Sequence, residues 1–196
     1  RYDDVSLANT VVHEILHNTY YAAGQATFNE SLANFVGGRG AIDFFCGRDG
    51  PTSERCRRAT DAWSDDLLFG AFLTGLVEEL ETLYARTDLT SEQKIQQREV
   101  VFAEAKQRYT NEVKPRLKVE NFDRFLRDEL NNATIISRRI YYDRLELFER
   151  VYQQRGDLKR AIDDVIAAAR TNGKDPYAAV EALAAKGAGS VESAQR

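Results

Sequence analysis

The chain is poor in the residues that most often carry metal and redox chemistry. Its 196 residues include no methionine, one tryptophan, three prolines, two cysteines and two histidines. Two histidines are too few for a ferritin-like di-iron bundle. The run Glu14-Ile15-Leu16-His17 supplies one E-x-x-H, but a complete site needs a second, and no third histidine exists. The two cysteines have neither a C-x-x-C spacing nor a spare histidine beside them, which argues against a cysteine-based zinc site. No apolar run approaches the length of a membrane span. The net charge of -4 gives nothing to favour DNA or RNA. There is no alternation typical of β-strands, no linker that would split the chain and no internal repeat. The sequence starts at Arg1 without a signal peptide, so it is expected to be a mature product or a fragment lacking an upstream part, including any export signal or lipid anchor.

What remains is the composition of an ordinary globular domain, 43% hydrophobic and 30% charged. Its periodicities are almost wholly helical. The expected fold is all-α, one domain over residues 1–186, with a disordered tail at 187–196. A first helix from about Asp4 to Tyr21 is followed by a second from about Asn29 to Phe45. In the second, Gly37, Gly38 and Gly40 are expected to interrupt the helix, and they either admit another backbone or weaken it. Leu7, Val11, Ile15 and Leu16 form an apolar stripe expected to bury the first helix. Two long helices follow, Glu54 to Ala85 and one opened by a Thr90/Gln93 capping box. The short link between them predicts an antiparallel hairpin. Pro115 stops or kinks the second of these. A shorter helix is expected near residues 121–130. A long run from Ile135 to a cap at Gly156 comes next, then helices begun by Asp157 and by Asp175-Pro176.

Both histidines fall in one motif, His13-Glu14-Ile15-Leu16-His17. Positions i and i+4 share a helix face, so the two imidazoles can supply half of a tetrahedral zinc site. Glu14 lies beside them, within reach of a water on the metal. Glu30 follows after a length suited to a turn and a new helix, and can supply a third ligand. An H-E-x-x-H arises by chance in roughly one of a few hundred chains of this size, so the motif weighs heavily against two unrelated surface histidines. Cys46 and Cys56 bracket a turn-rich segment. A disulfide and two free thiols both fit it.

The run from His13 through Asn29-Glu30-Ser31-Leu32-Ala33-Asn34-Phe35-Val36 resembles the bacterial predicted aminopeptidases. So does a later block, Leu130-Asn131-Asn132-Ala133 with Tyr141 or Tyr142 and Phe148. The resemblance implies a gluzincin-type zinc peptidase with one zinc ion, in which the Glu of the Asn-Glu pair, Glu30, is the third ligand. It implies peptide substrates and a periplasmic or cell-envelope location, which favours the Cys46–Cys56 disulfide. Related peptidases place another glutamate seven positions beyond the ligand Glu, where this chain has Gly37. By this reading a metal-activated water hydrolyses the peptide bond with Glu14 as general base, and Tyr141, Tyr142, Arg138 and Arg139 are candidates to stabilise the oxyanion, Tyr141 foremost. The alternative is a catalytically inactive peptidase-like module that serves as a helical binding surface or scaffold. The oligomeric state is not legible.

Overall fold

The chain turns into helix at its first carboxylate. Asp3 accepts hydrogen bonds from the backbone N–H groups of Val5 and Ser6, both at 3.0 Å, and so caps α1, Asp4–Thr19. The computed structural model describes residues 3–192, with side chains as far as 186. Within those residues every regular element is helical: α2 (Ala26–Asp49), α3 (Glu54–Ala85), α4 (Ser91–Arg108), α5 (Arg124–Arg127), α6 (Asn132–Tyr142), α7 (Leu145–Arg155), α8 (Leu158–Thr171) and α9 (Pro176–Glu192).

Helix α2 is central. Its buried residues, from Phe28 to Phe45, lie on every side of the helix, as expected of one wrapped by neighbours. Phe28, Leu32, Phe35 and Val36 share a core with Leu16 of α1, Trp63 of α3, Phe148 of α7, Val165 of α8 and Val180 of α9. A second core joins Phe69, Leu73 and Leu76 of α3 to Phe102 and Ala105 of α4, and to Tyr109, Phe125 and Ile135. Helix α3 runs through both cores and Tyr142 packs against both, so the molecule is one domain.

A buried carboxylate ties three helices together. Glu149 of α7 accepts from Arg39 of α2 and, at 3.0 Å, from the indole N–H of Trp63 on α3. Where α3 and α4 meet, the backbone oxygen of Tyr84 accepts from Lys94 at 2.7 Å. Further along, Glu79 pairs with Arg108 and Phe72 lies against Tyr109. Beyond α4 the helix widens into a π turn at Tyr109–Val113 and ends in a 3-10 turn holding Pro115, whose missing N–H cannot continue the ladder.

Four expectations are corrected. The glycines of α2 do not interrupt it, because each faces a neighbour. A Cβ at Gly37 would meet the backbone oxygen of Asn9 at 2.8 Å, one at Gly38 the Trp63 ring at 2.5 Å, and one at Gly40 a methyl of Val12 at 2.7 Å. Those contacts decide the second point. The face of α1 set against α2 carries Val5, Val12 and Leu16, while Leu7, Val11 and Ile15 lie 48–57% exposed. Third, the run from Ile135 to Gly156 breaks at Asp143-Arg144, with Arg144 in the left-handed region at φ 51°. The break follows from α2, which takes over the end of α6. Ser31 donates to the Ile140 oxygen at 2.8 Å and accepts from the Asp143 N–H, and Asn34 donates to the Tyr141 oxygen at 2.9 Å. Fourth, the helix expected over 121–130 is the single turn α5. Of the tail expected at 187–196, the backbone is helical to Glu192 and residues 193–196 lie outside the described residues.

Candidate metal centre

Helical spacing brings the two histidines of α1 together: their Nε2 atoms are 3.2 Å apart, with the rings at 78° to one another. The third member comes from α2. Glu30 places one oxygen 3.3 Å from His13 Nε2 and the other 3.6 Å from His17 Nε2. Nitrogen and oxygen ligands at about 2.0–2.2 Å in a tetrahedron stand about 3.3–3.6 Å from one another. The separations found here, taken to the nearer Glu30 oxygen in each case, are close to that size, so the donor set fits a small tetrahedral cation with one position left open. Among the described residues no other group of three or more His, Cys, Asp or Glu is close enough to hold a metal.

The turn that delivers Glu30 is clamped by its neighbour. The buried Asn29 side chain accepts from the Ala22 N–H and donates to the Ala22 oxygen, both at 2.8 Å. Both hydrogen-bonding groups of one backbone residue are satisfied by one amide, which fixes where α2 starts relative to the end of α1. The sequence reading assigned Asn29 no role. The signal lay in the Asn-Glu pair itself, since an amide just inside a helix start commonly serves local backbone.

A cleft of about 320 Å³ opens beside His13. Glu14 lines it from α1, as do Asn34 of α2, Tyr141 and Tyr142 of α6, and two acids, Asp66 and Glu120. A larger cleft near the start of α1 is lined by Asp3, Asp4, Arg55 and Arg58, whose charges pair with one another, and it holds none of the donor set.

The four oxyanion candidates separate clearly. Tyr141 is exposed, with its ring centroid 6.4 Å from that of His13. Tyr142 packs edge-on against Phe69 and Phe122, and burial, with Asp66 and Glu120 nearby, pushes its hydroxyl pKa far up. Arg138 is paired with Asp128, and Arg139 with Asp143 and Glu81. Only Tyr141 of the four stands free beside the donor set. Ser31 and Asn34, in the turns of α2 just after Glu30, hold the end of α6 that carries it.

Gly37 also gains an explanation. The space that a side chain at 37 would enter is filled by Asn9 of α1. A glutamate there cannot coexist with this helix crossing.

Cys46 and Cys56 are joined in a disulfide with Cα atoms 4.6 Å apart, linking the end of α2 to the start of α3. No helix among the described residues is long and apolar enough to cross a membrane.

No curated protein and no solved structure gives a significant match to the chain. Over residues 1–179 the sequence matches the model of the family described as "putative aminopeptidase", and the chain belongs to that family.

Proposed function

We propose that the chain is a zinc-dependent peptidase of the aminopeptidase kind, with a gluzincin-type ligand set in which His13, His17 and Glu30 hold one zinc ion. The observation that carries this reading is the convergence of His13, His17 and Glu30 from two helices, with the two Nε2 atoms 3.2 Å apart and one Glu30 oxygen 3.3 Å and the other 3.6 Å from them, bordered by a cleft that contains Glu14. Zinc bound there supplies a Lewis acid that eases deprotonation of water near neutral pH and polarises the scissile carbonyl. Glu14 accepts the proton of the attacking water and returns it to the leaving amine. The Tyr141 hydroxyl donates to the oxyanion as the tetrahedral intermediate forms. Of the α3–α4 pair, which we read as an antiparallel hairpin, α3 contributes Asp66 to this cleft. The Cys46–Cys56 disulfide supports an oxidising compartment such as the periplasm or cell envelope.

The test measures bound zinc and hydrolysis of a mixed peptide pool together. Wild type is expected to hold one zinc per chain and to cleave peptides. Glu14→Gln is expected to keep the zinc and lose roughly 10²–10⁴-fold in rate, since the amide cannot accept a proton. Undiminished hydrolysis in that variant removes Glu14 from the mechanism. Zinc without hydrolysis of any peptide leaves the inactive binding or scaffold module as the better description.

A further inference from the structure

Asp65 and Asp66 are adjacent on α3 and buried, yet they do opposite things. Asp65 is 1% exposed and saturated: its carboxylate accepts from the backbone N–H groups of Lys118, Val119 and Glu120 at 2.8–3.0 Å. It holds the chain beyond Pro115 against α3. Asp66 is 9% exposed and lines the cleft beside Glu14, but it receives no hydrogen bond or ion pair from any described residue. Its charged neighbours are Glu120 and Asp65, and burial followed by these two acids raises its carboxyl well above the ordinary range. Glu120 lines the same cleft and is raised by burial, then by Asp65 and Asp3, with Arg58 easing it. Arg58 is itself paired with Asp3.

A buried carboxylate with no partner costs stability, and costs more than an uncharged side chain at the same point. The structural role at this turn of α3 is already filled by Asp65. No described residue supplies a partner, and the cleft leaves the carboxyl open to one from outside; a cation there would favour its charged form. A metal is a poor fit, since no group of three ligands gathers here and hard cations need six or more oxygens. A primary ammonium fits well, with three donors for two carboxyls. The amino terminus of a peptide carries one, with an ordinary pKa of about 7.7–8.0.

We propose that Asp66, with Glu120 beside it, anchors the free amino-terminal ammonium of the peptide in the cleft that His13, Glu14 and Tyr141 line. The inference rests on the peptidase reading and deepens it, by naming what would confine cleavage to the first peptide bond. Substrate binding then supplies a counter-charge that none of the described residues provides.

The test uses the metal-free full chain, so that it does not depend on turnover. Three probes are titrated by NMR: trialanine amide, its N-acetylated counterpart, and N-acetyl-lysine methylamide. Wild type is expected to bind trialanine amide at least tenfold more tightly than the acetylated peptide. Asp66→Asn is expected to bring that ratio to near one, with a melting temperature equal to or above wild type because no native contact is lost. A ratio near one in wild type overturns the proposal, and so does a ratio that survives in Asp66→Asn. A lowered melting temperature for Asp66→Asn also overturns it, since Asp66 would then serve the fold. Preference for N-acetyl-lysine methylamide over trialanine amide transfers the ammonium to a lysine side chain and overturns the amino-terminal assignment. The expected ratio in a chain that cleaves nothing would sink the peptidase reading while the ammonium site stood.

Discussion

Replacing Gly37 by alanine tests whether the closeness of α1 and α2 sets the ligand triangle. Alanine in mid-helix is favoured over glycine by about 1 kcal/mol. The new Cβ would stand 2.4 Å from Asn9 Oδ1 and 2.8 Å from the Asn9 backbone oxygen. The side-chain amide can swing aside, but the backbone oxygen cannot move without α1. Overpacking of this kind costs about 1–3 kcal/mol, and a contact with backbone belongs at the upper end. The expected outcome is a net loss of about 1–2 kcal/mol, which in a chain of this size lowers the melting temperature by about 2–8 °C. Moving α1 away from α2 also carries His13 and His17 away from Glu30. Metal geometry tolerates only about 0.5 Å of such drift, so zinc affinity should fall by roughly tenfold or more. Urea unfolding in chelator measures the first effect, and competition with a chromogenic chelator measures the second. Gly75 is the internal control. It lies in mid-α3 with nothing within 4 Å of a built Cβ, so Gly75→Ala should stabilise by about 1 kcal/mol and leave zinc affinity alone. A Gly37→Ala protein as stable as wild type, or one that is less stable but binds zinc unchanged, would refute the reasoning.

Tyr141→Phe should lower kcat far more than it raises KM, because the hydrogen bond is made fully only in the transition state; Tyr142→Phe, inside the aromatic cluster, should leave both near wild type in steady-state assays. Glu149→Ala should destabilise by about 3–5 kcal/mol in denaturant titration, since it strands the Arg39 charge and the Trp63 N–H in the core; a loss under 1 kcal/mol would mean that water reaches the pair. Thiol titration of the unfolded, unreduced protein should find no reactive thiol, and reduction of the Cys46–Cys56 bridge should cost about 3 kcal/mol by the loop-entropy account.

Much of the local structure was legible from residues close together in the chain. The Thr90/Gln93 capping box is present with both of its hydrogen bonds. Asp157 accepts from the Arg160 N–H, Asp175 accepts from the Ala178 N–H, and Gly156 ends α7 in the left-handed region. Each signal involves groups within four residues, so sequence alone contains all the atoms that decide it. The same holds for His13 and His17, which any regular helix places on one face.

Tertiary structure decided the rest. Helical spacing in α1 offers two apolar stripes, and only the glycines of α2 select the one through Val5, Val12 and Leu16, leaving Leu7, Val11 and Ile15 exposed. The apolar pattern continues through Asp143-Arg144, but the helix does not, because Ser31 and Asn34, more than a hundred residues away, take its last carbonyls. Asp65 and Asp66 are indistinguishable by type and adjacent in sequence. One meets the backbone of residues 118–120 and the other faces the cleft beside Glu14, and that difference exists only once α3 and the chain after Pro115 have come together. Local hydrogen bonds and periodicity act within a turn or two, whereas burial, partner choice and cleft formation depend on atoms that only folding brings together.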